Sequence, residues 1–383
     1  MKKNIENQSN NEKLKIYGSF IFFMLFCLLI SLSQKPQQIS ANDGLPNDPY
    51  YPEQWYLHSK AVNGNNWEAA INLLQMIDTN PVKDTIRVVT IDSGAQANHP
   101  ELTAALWTNL LEIPGNNIDD DGNGYIDDVH GCAFTPEDDS CEDNINDLSR
   151  TQHGTGTAGI IASAINNLLG IAANGLGFNV ELVPLKVIQS QGVANYSDIR
   201  QALEYVLAMD NVDVVNISIA GWASDSSLES LNLLIDQISA KGTIIVAGSG
   251  NSYPQETTVG WPASHPKVIA VGGFNQNGDR IDYSNFGENL DLVAPAQNIR
   301  TLCYEDSYCL QGGTSFASPQ VALAVAFIKA YHPEYSFEQV QELLHQSSGS
   351  SFSQEYGYGK LDYYAITSQM LLNNRSYLPA VSN

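Results

Sequence analysis

The chain reads as an α/β protein: a single domain on a mostly parallel central sheet with helices on both faces. Three observations carry that reading. Apolar, β-branched runs occupy 85–91, 182–187, 212–219, 242–247 and 268–271. Helical patterns at 197–208, 226–241 and 315–331 alternate with them or follow them. No second linker and no internal repeat interrupts the series before residue 372. Strands buried on both faces read as continuous Val/Ile/Leu runs, and parallel neighbours need crossover helices that cover the sheet. With 43% hydrophobic and 16% charged residues in 383, the chain can fill one large core and is not a disordered tail.

Taken from the N-terminus, residues 20–32 form an apolar run of 13, or 18 if counted from 16 to 33, with Lys13 and Lys15 just upstream. A positive flank before such a run predicts a signal peptide, cleaved after Ala41 or Ser33. A retained membrane anchor is the rival, since about 18–20 apolar residues span a bilayer. Either way the remainder is expected outside the cell, secreted or tethered. The expected organisation is 1–41 for the signal or anchor with a short linker, 42–372 for the domain and 373–383 for a short tail.

Charge and cysteines agree with export. Beyond residue 33 there are 14 basic and 40 acidic residues, a formal −26. Such a surface repels phosphate backbones, which excludes nucleic acid as a partner. Cys27 belongs to the apolar run, while Cys132 with Cys141 and Cys303 with Cys309 form two close pairs. Neither pair has the C-x-x-C spacing of a zinc knuckle, so local disulfides fit better, each contributing on the order of 2–3 kcal/mol.

Three segments carry chemistry. Asp92 ends the run 85–91 and so falls at the carboxyl edge of the sheet, where α/β sites assemble. His153 opens the stretch 153–159, whose small residues let a helix pack closely while one imidazole projects. A glycine turn at 312–313 delivers Ser315 to the start of an apolar helix, where unpaired amides and the dipole favour developing negative charge. Pro319 is expected in the first turn of that helix, where a missing N–H costs little.

These motifs resemble the subtilisin family (subtilases, peptidase family S8), in the order Asp…His…Ser, with offsets of 61 and 162 residues. The resemblance runs from Asn47-Asp48-Pro49-Tyr50, with Gln54-Trp55, to Gly357–Asp362 and about residue 367. It implies a serine endopeptidase, most simply a monomer acting on polypeptides. Ser315 would be the nucleophile, His153 its general base and Asp92 the holder of the imidazole tautomer. Asn251, after Val246–Gly250, corresponds to the family's oxyanion-hole Asn. The segment holding Asn216, Ser218, Ile219, Ala220 and Gly221 resembles the strand against which a substrate pairs, and its small residues predict an open primary pocket. The family's usual prodomain has no room in the roughly fifteen residues between the apolar run and Asn47, so folding is expected to lean on calcium and the disulfides.

A second signal needs no resemblance. Asp119, Asp121 and Asn123 fall at positions one, three and five of an EF-hand-like loop, with Gly124 at the turn and the Tyr125 carbonyl at seven. Position twelve is His130 instead of Glu, so Asp127 or Asp128 is expected to complete a structural Ca2+ site. Many subtilases carry such a loop here. Two other readings are weaker. The G-x-G-x-x-G at 154–159 follows a polar segment, not a strand, so it is no dinucleotide fingerprint. A non-catalytic calcium-binding surface protein on the same scaffold has to explain why every catalytic residue type is in place.

Overall fold

The computed structural model describes residues 45–58, 64–77, 80–138, 140–141, 145–147, 149, 151–173 and 176–373. The signal-or-anchor run and the tail beyond 373 lie outside these residues. Among the described residues, no helix is long and apolar enough to cross a membrane.

After two 3₁₀ turns at Tyr51–Glu53 and Trp55–Leu57 come α1 (Trp67–Ile77), β1 (Thr85–Asp92), β2 (Cys132–Ala133), α2 (His153–Ala162) and β3 (Asn179–Lys186). Then follow α3 (Tyr196–Ala208), β4 (Val214–Ile217), α4 (Asp225–Ala240), β5 (Ile244–Gly248) and β6 (Val268–Phe274). The last part holds β7 (Leu292–Pro295), β8 (Ile299–Cys303), β9 (Ser307–Gln311), α5 (Thr314–Tyr331), α6 (Phe337–Ser347), β10 (Gly349–Ser353), β11 (Gly357–Gly359) and α7 (Tyr363–Asn373). All five expected strands and three expected helices form, with ends shifted by a few residues. The short β2 and β7 have too few residues to stand out in the sequence. The capping box at Ser336 and Gln339, which starts α6, is a readable signal.

Seven strands make one sheet in the order β2-β3-β1-β4-β5-β6-β7, and every neighbouring pair is parallel. Alternation sorts the side chains. Val89, Ile91, Val183, Leu185, Val215, Ile217, Ile245 and Ala247 share one core with Ile199, Leu203 and Val206 of α3 and Leu231, Ile235 and Ile238 of α4. The residues between them, such as Val88, Leu182, Val214 and Val246, are equally buried on the face against which α5 packs. Both faces are therefore covered.

Parallel strands put all their carboxyl ends on one edge. Asp92 closes β1 there, residues 218–221 leave β4 there, and 249–251 leave β5 there. Both expected disulfides form. Cys132 pairs with Cys141, and Cys303 pairs with Cys309 across the β8–β9 hairpin.

Candidate active site

Asp92 is fully buried, and three donors fix its carboxylate. The Ser93 amide donates to Oδ1 at 2.7 Å, Thr157 Oγ1 donates to Oδ2 at 3.0 Å, and His153 Nδ1 lies 2.7 Å from Oδ1. Because an ionised carboxylate only accepts, Nδ1 carries the proton and Nε2 is left as the base. His153 is the first residue of α2, entered through Gln152 in the left-handed region at φ 48°. Close approach explains the small residues beside it: a Cβ on Gly154 would sit 2.0 Å from the Gly94 carbonyl oxygen.

A second carboxylate stands behind this pair. Asp147 accepts from the Thr155 amide (2.9 Å) and hydroxyl (3.1 Å), and from the Ser149 amide (3.0 Å) and hydroxyl (2.6 Å). With Ser93 Oγ accepting from the Gly154 amide at 2.8 Å, side chains satisfy two of the free amides in the first turn of α2, those of Gly154 and Thr155. Burial alone would lower the His153 pKa, but the charges of Asp92 and Asp147 outweigh it and hold the imidazole above its usual value. Burial pushes the Asp147 carboxyl itself upward. Sequence reasoning missed Asp147, which sits in a polar stretch without periodicity.

Of the 18 residues of α5, Ser315 alone is not buried. The helix starts after Gly313, whose φ of 121° suits glycine, and Ser315 belongs to its first turn of free amides. The Ser315 hydroxyl donates to the Ser218 carbonyl at 3.2 Å and makes no hydrogen bond to His153 in this structure. The Phe316 ring stands edge-on to the His153 ring at 5.2 Å, so the two helix starts are neighbours. Pro319 corrects an expectation: it is the sixth residue of α5, past the first turn. Its missing N–H leaves the Ser315 carbonyl without a helical donor, and Ser218 Oγ donates there instead at 2.9 Å.

Asn251 is exposed beside this turn. Its Oδ1 accepts from the Thr314 amide at 2.9 Å and from the Thr314 hydroxyl at 3.2 Å. An amide N–H can only donate, so this bond fixes the flip and leaves Nδ2 as a free-facing donor near Gly313.

The segment read as a substrate strand needs two corrections. Asn216 is fully buried and donates to Ser218 Oγ at 2.9 Å, so it orients Ser218 and cannot touch a peptide. Gly221 has its amide and carbonyl both bonded to Trp261 at 2.9 Å, so its backbone is not available either. Ile219 and Ala220 follow the last ladder pair of β4 and are half-exposed. The Trp222 indole stands close by: a Cβ on Gly250 would be 2.7 Å from the Trp222 ring, and one on Gly260 would be 3.1 Å from it.

The acidic loop is brought together with one partner that sequence reasoning missed. Carboxylate oxygens of Glu112, Asp119 and Asp121 lie within 4.8 Å of one another. Asp121 and Asp128 accept from the same Asn109 amide group, at 2.9 and 2.8 Å, and Asn123 donates to both. Tyr205 donates to Asp128 at 2.7 Å, yet burial still pushes the Asp128 carboxyl above the usual range. Asp127 is not one of these three; its carboxylate accepts from the amides of Asn116 and Asn117, and its own amide donates to Glu112 Oε2 at 3.0 Å. Tyr125 stacks edge-on against Tyr205 at 4.6 Å, and its amide donates to Asn123 Oδ1. Glu112 lies seven residues before the motif, so a loop template that starts at Asp119 does not reach it.

A carboxylate from the first strand, an imidazole opening one helix and a serine opening another, all on the carboxyl edge of a parallel sheet, place the molecule in the subtilisin-like class of α/β proteins. Comparison with known proteins agrees. Residues 83–359 match the family model described as the subtilase family, and the chain belongs to that family. It is 32% identical to subtilisin from Bacillus pumilus over 286 residues, 73% of this chain and 90% of that protein. It is 31% identical to subtilisin amylosacchariticus from Bacillus subtilis subsp. amylosacchariticus over 278 residues, 72% of this chain. That match spans only 63% of the relative's length. Among solved structures, one of proteases from Pseudoalteromonas arctica PAMC 21717 shares the fold with a TM-score of 0.68 at 24% identity, covering 85% of this chain and 99% of that one.

Proposed function

We propose that this chain is a serine endopeptidase that cleaves peptide bonds through an acyl-enzyme intermediate. The observation that carries the reading is the 2.7 Å contact of His153 Nδ1 with the buried Asp92, beside the helix start that presents Ser315. Rotation about the Ser315 Cα–Cβ bond takes Oγ from the Ser218 carbonyl to Nε2. His153 then accepts the hydroxyl proton as Oγ attacks the scissile carbonyl, and Asp92 stabilises the imidazolium. The oxyanion forms between Asn251 Nδ2 and the Ser315 amide, at the positive end of α5. His153 returns the proton to the leaving amine, and water repeats the cycle on the ester.

An extended peptide is held along Ile219–Ala220 by backbone hydrogen bonds, so polypeptides in general are the substrate class. The three carboxylates Glu112, Asp119 and Asp121, with the amide oxygens around them, offer hard oxygen donors that fit Ca2+. The bound ion would neutralise their repulsion and tie the loop to the domain, with no part in the chemistry. The protein acts outside the cell as a monomer, either secreted or held by its N-terminal segment, and has no nucleic-acid partner. A fluorophosphonate probe tests the central point. It is expected to label the folded, calcium-loaded protein, and Ser315→Ala is expected to keep the fold while losing both labelling and hydrolysis. Folded protein that stays unlabelled would overturn the reading.

A further inference from the structure

Two glycines shape a slot next to the reacting atoms. On the endopeptidase reading, a peptide lying along Ile219–Ala220 with its carbonyl between Ser315 and Asn251 would place the side chain that precedes the scissile bond near Ala220 and Gly250, the residue before Asn251. The far wall of that space is Gly260, whose absent side chain would meet Ala220 Cβ at 3.1 Å. Glycine on two sides makes room for a large group, and in this chain the group is its own. The Trp222 indole rests on the α-carbon faces of both Gly250 and Gly260, and its Nε1 points at the Thr258 carbonyl at 3.4 Å. Trp222 also lines a cavity of about 560 Å3, together with apolar Leu228, Val259 and Trp261 and polar Thr258, Ser264 and Asn289.

We infer that Trp222 is the specificity-determining residue of this site, acting as a plug that admits only small side chains (Gly, Ala, Ser) before the scissile bond. This rests on the serine endopeptidase reading. A Phe or Leu side chain entering the slot must displace an indole packed on two glycines, whereas an Ala methyl needs no displacement. Removing the ring clears the space over both glycines and opens it toward the cavity that the ring lines. Volume differences of this kind in an apolar pocket discriminate by about 10–200-fold per methylene-sized step.

The test is kcat/KM on tetrapeptide anilides that differ only in the residue before the scissile bond. Wild-type enzyme is expected to favour Ala over Phe by about tenfold or more. Trp222→Ala is expected to raise the Phe/Ala ratio by about a hundredfold. Trp222→Phe, which keeps a ring against the glycines, should fall between, and it serves if the alanine variant folds poorly. A wild-type preference for Phe, or a ratio that changes by less than about threefold on removing the ring, overturns the plug. If no anilide is cleaved and Ser315 is never labelled by a fluorophosphonate, the endopeptidase reading fails and the plug fails with it.

Discussion

Ser218 and Ser315 are bonded reciprocally. The Ser218 hydroxyl donates to the Ser315 carbonyl at 2.9 Å, and the Ser315 hydroxyl donates to the Ser218 carbonyl at 3.2 Å. Pro319 makes the first bond necessary, because a proline four residues on has no N–H for the Ser315 carbonyl. Asn216 aims the Ser218 hydroxyl from the buried side. Ser218→Ala therefore leaves a carbonyl of the serine turn unpaired, at a cost of about 1–3 kcal/mol. A thermal midpoint lowered by a few degrees, together with reduced turnover, is the expected result, measured by calorimetry and peptide hydrolysis. A variant as stable and as fast as wild type would show that the bond is dispensable.

The acid limb of activity should lie above the ordinary histidine value of about 6.5. The sign follows from the charges around the ring. Asp92 and Asp147 favour the protonated imidazole more than burial disfavours it, so its pKa is raised. Protonated His153 cannot accept the serine proton, so activity is lost as pH falls through that raised value. Asp147→Asn removes one of the two charges and should move the limb of kcat/KM to lower pH. A limb that stays in place would leave Asp147 only its role of tying down the start of α2.

Asn251→Ala removes a donor aimed at the position of the oxyanion. The expected loss is about 10²–10³ in kcat, the range known for such a donor in subtilisin itself, with KM changed little. A loss confined to KM would instead mean that Asn251 serves substrate binding in the ground state.

Chelation offers a readout that does not depend on catalysis. A ligand at about 100 times its dissociation constant stabilises the folded state by about 2.7 kcal/mol. Removing calcium from the Ser315→Ala variant, which cannot digest itself, should lower its thermal midpoint by several degrees. Glu112→Gln should remove most of the difference between calcium-loaded and chelated protein. Identical midpoints with and without calcium would argue against an ion at this loop.

The parts of the site that lie within a few residues of a strand or helix end were legible without coordinates. Asp92 follows an apolar run, and a glycine turn precedes Ser315. Local backbone geometry follows directly from such patterns. The loop at 119–125 was legible for the same reason. The spacing of that loop did not show that the Asp127 carboxylate faces the amides of Asn116 and Asn117, because a short acidic side chain can turn toward backbone donors as readily as toward its neighbours.

The amino-acid order by itself determined the alternation of strand and helix, the carboxyl-edge placement of Asp92, the place of Ser315 at a helix start, and the membership these motifs imply, because each depends on short-range pattern and spacing. Tertiary structure alone decided that Asp147 supports His153, that Asn216 is walled in behind Ser218, that Glu112 completes the acidic cluster, and that the Trp222 indole packs on Gly250 and Gly260. Those outcomes depend on which way each group turns and which partner it finds, whether a few residues along, as for Asn216 with Ser218, or tens of residues away, as for Trp222 with Gly250 and Gly260. That choice is made by packing and by the need to satisfy buried polar atoms, neither of which leaves a local mark in the chain.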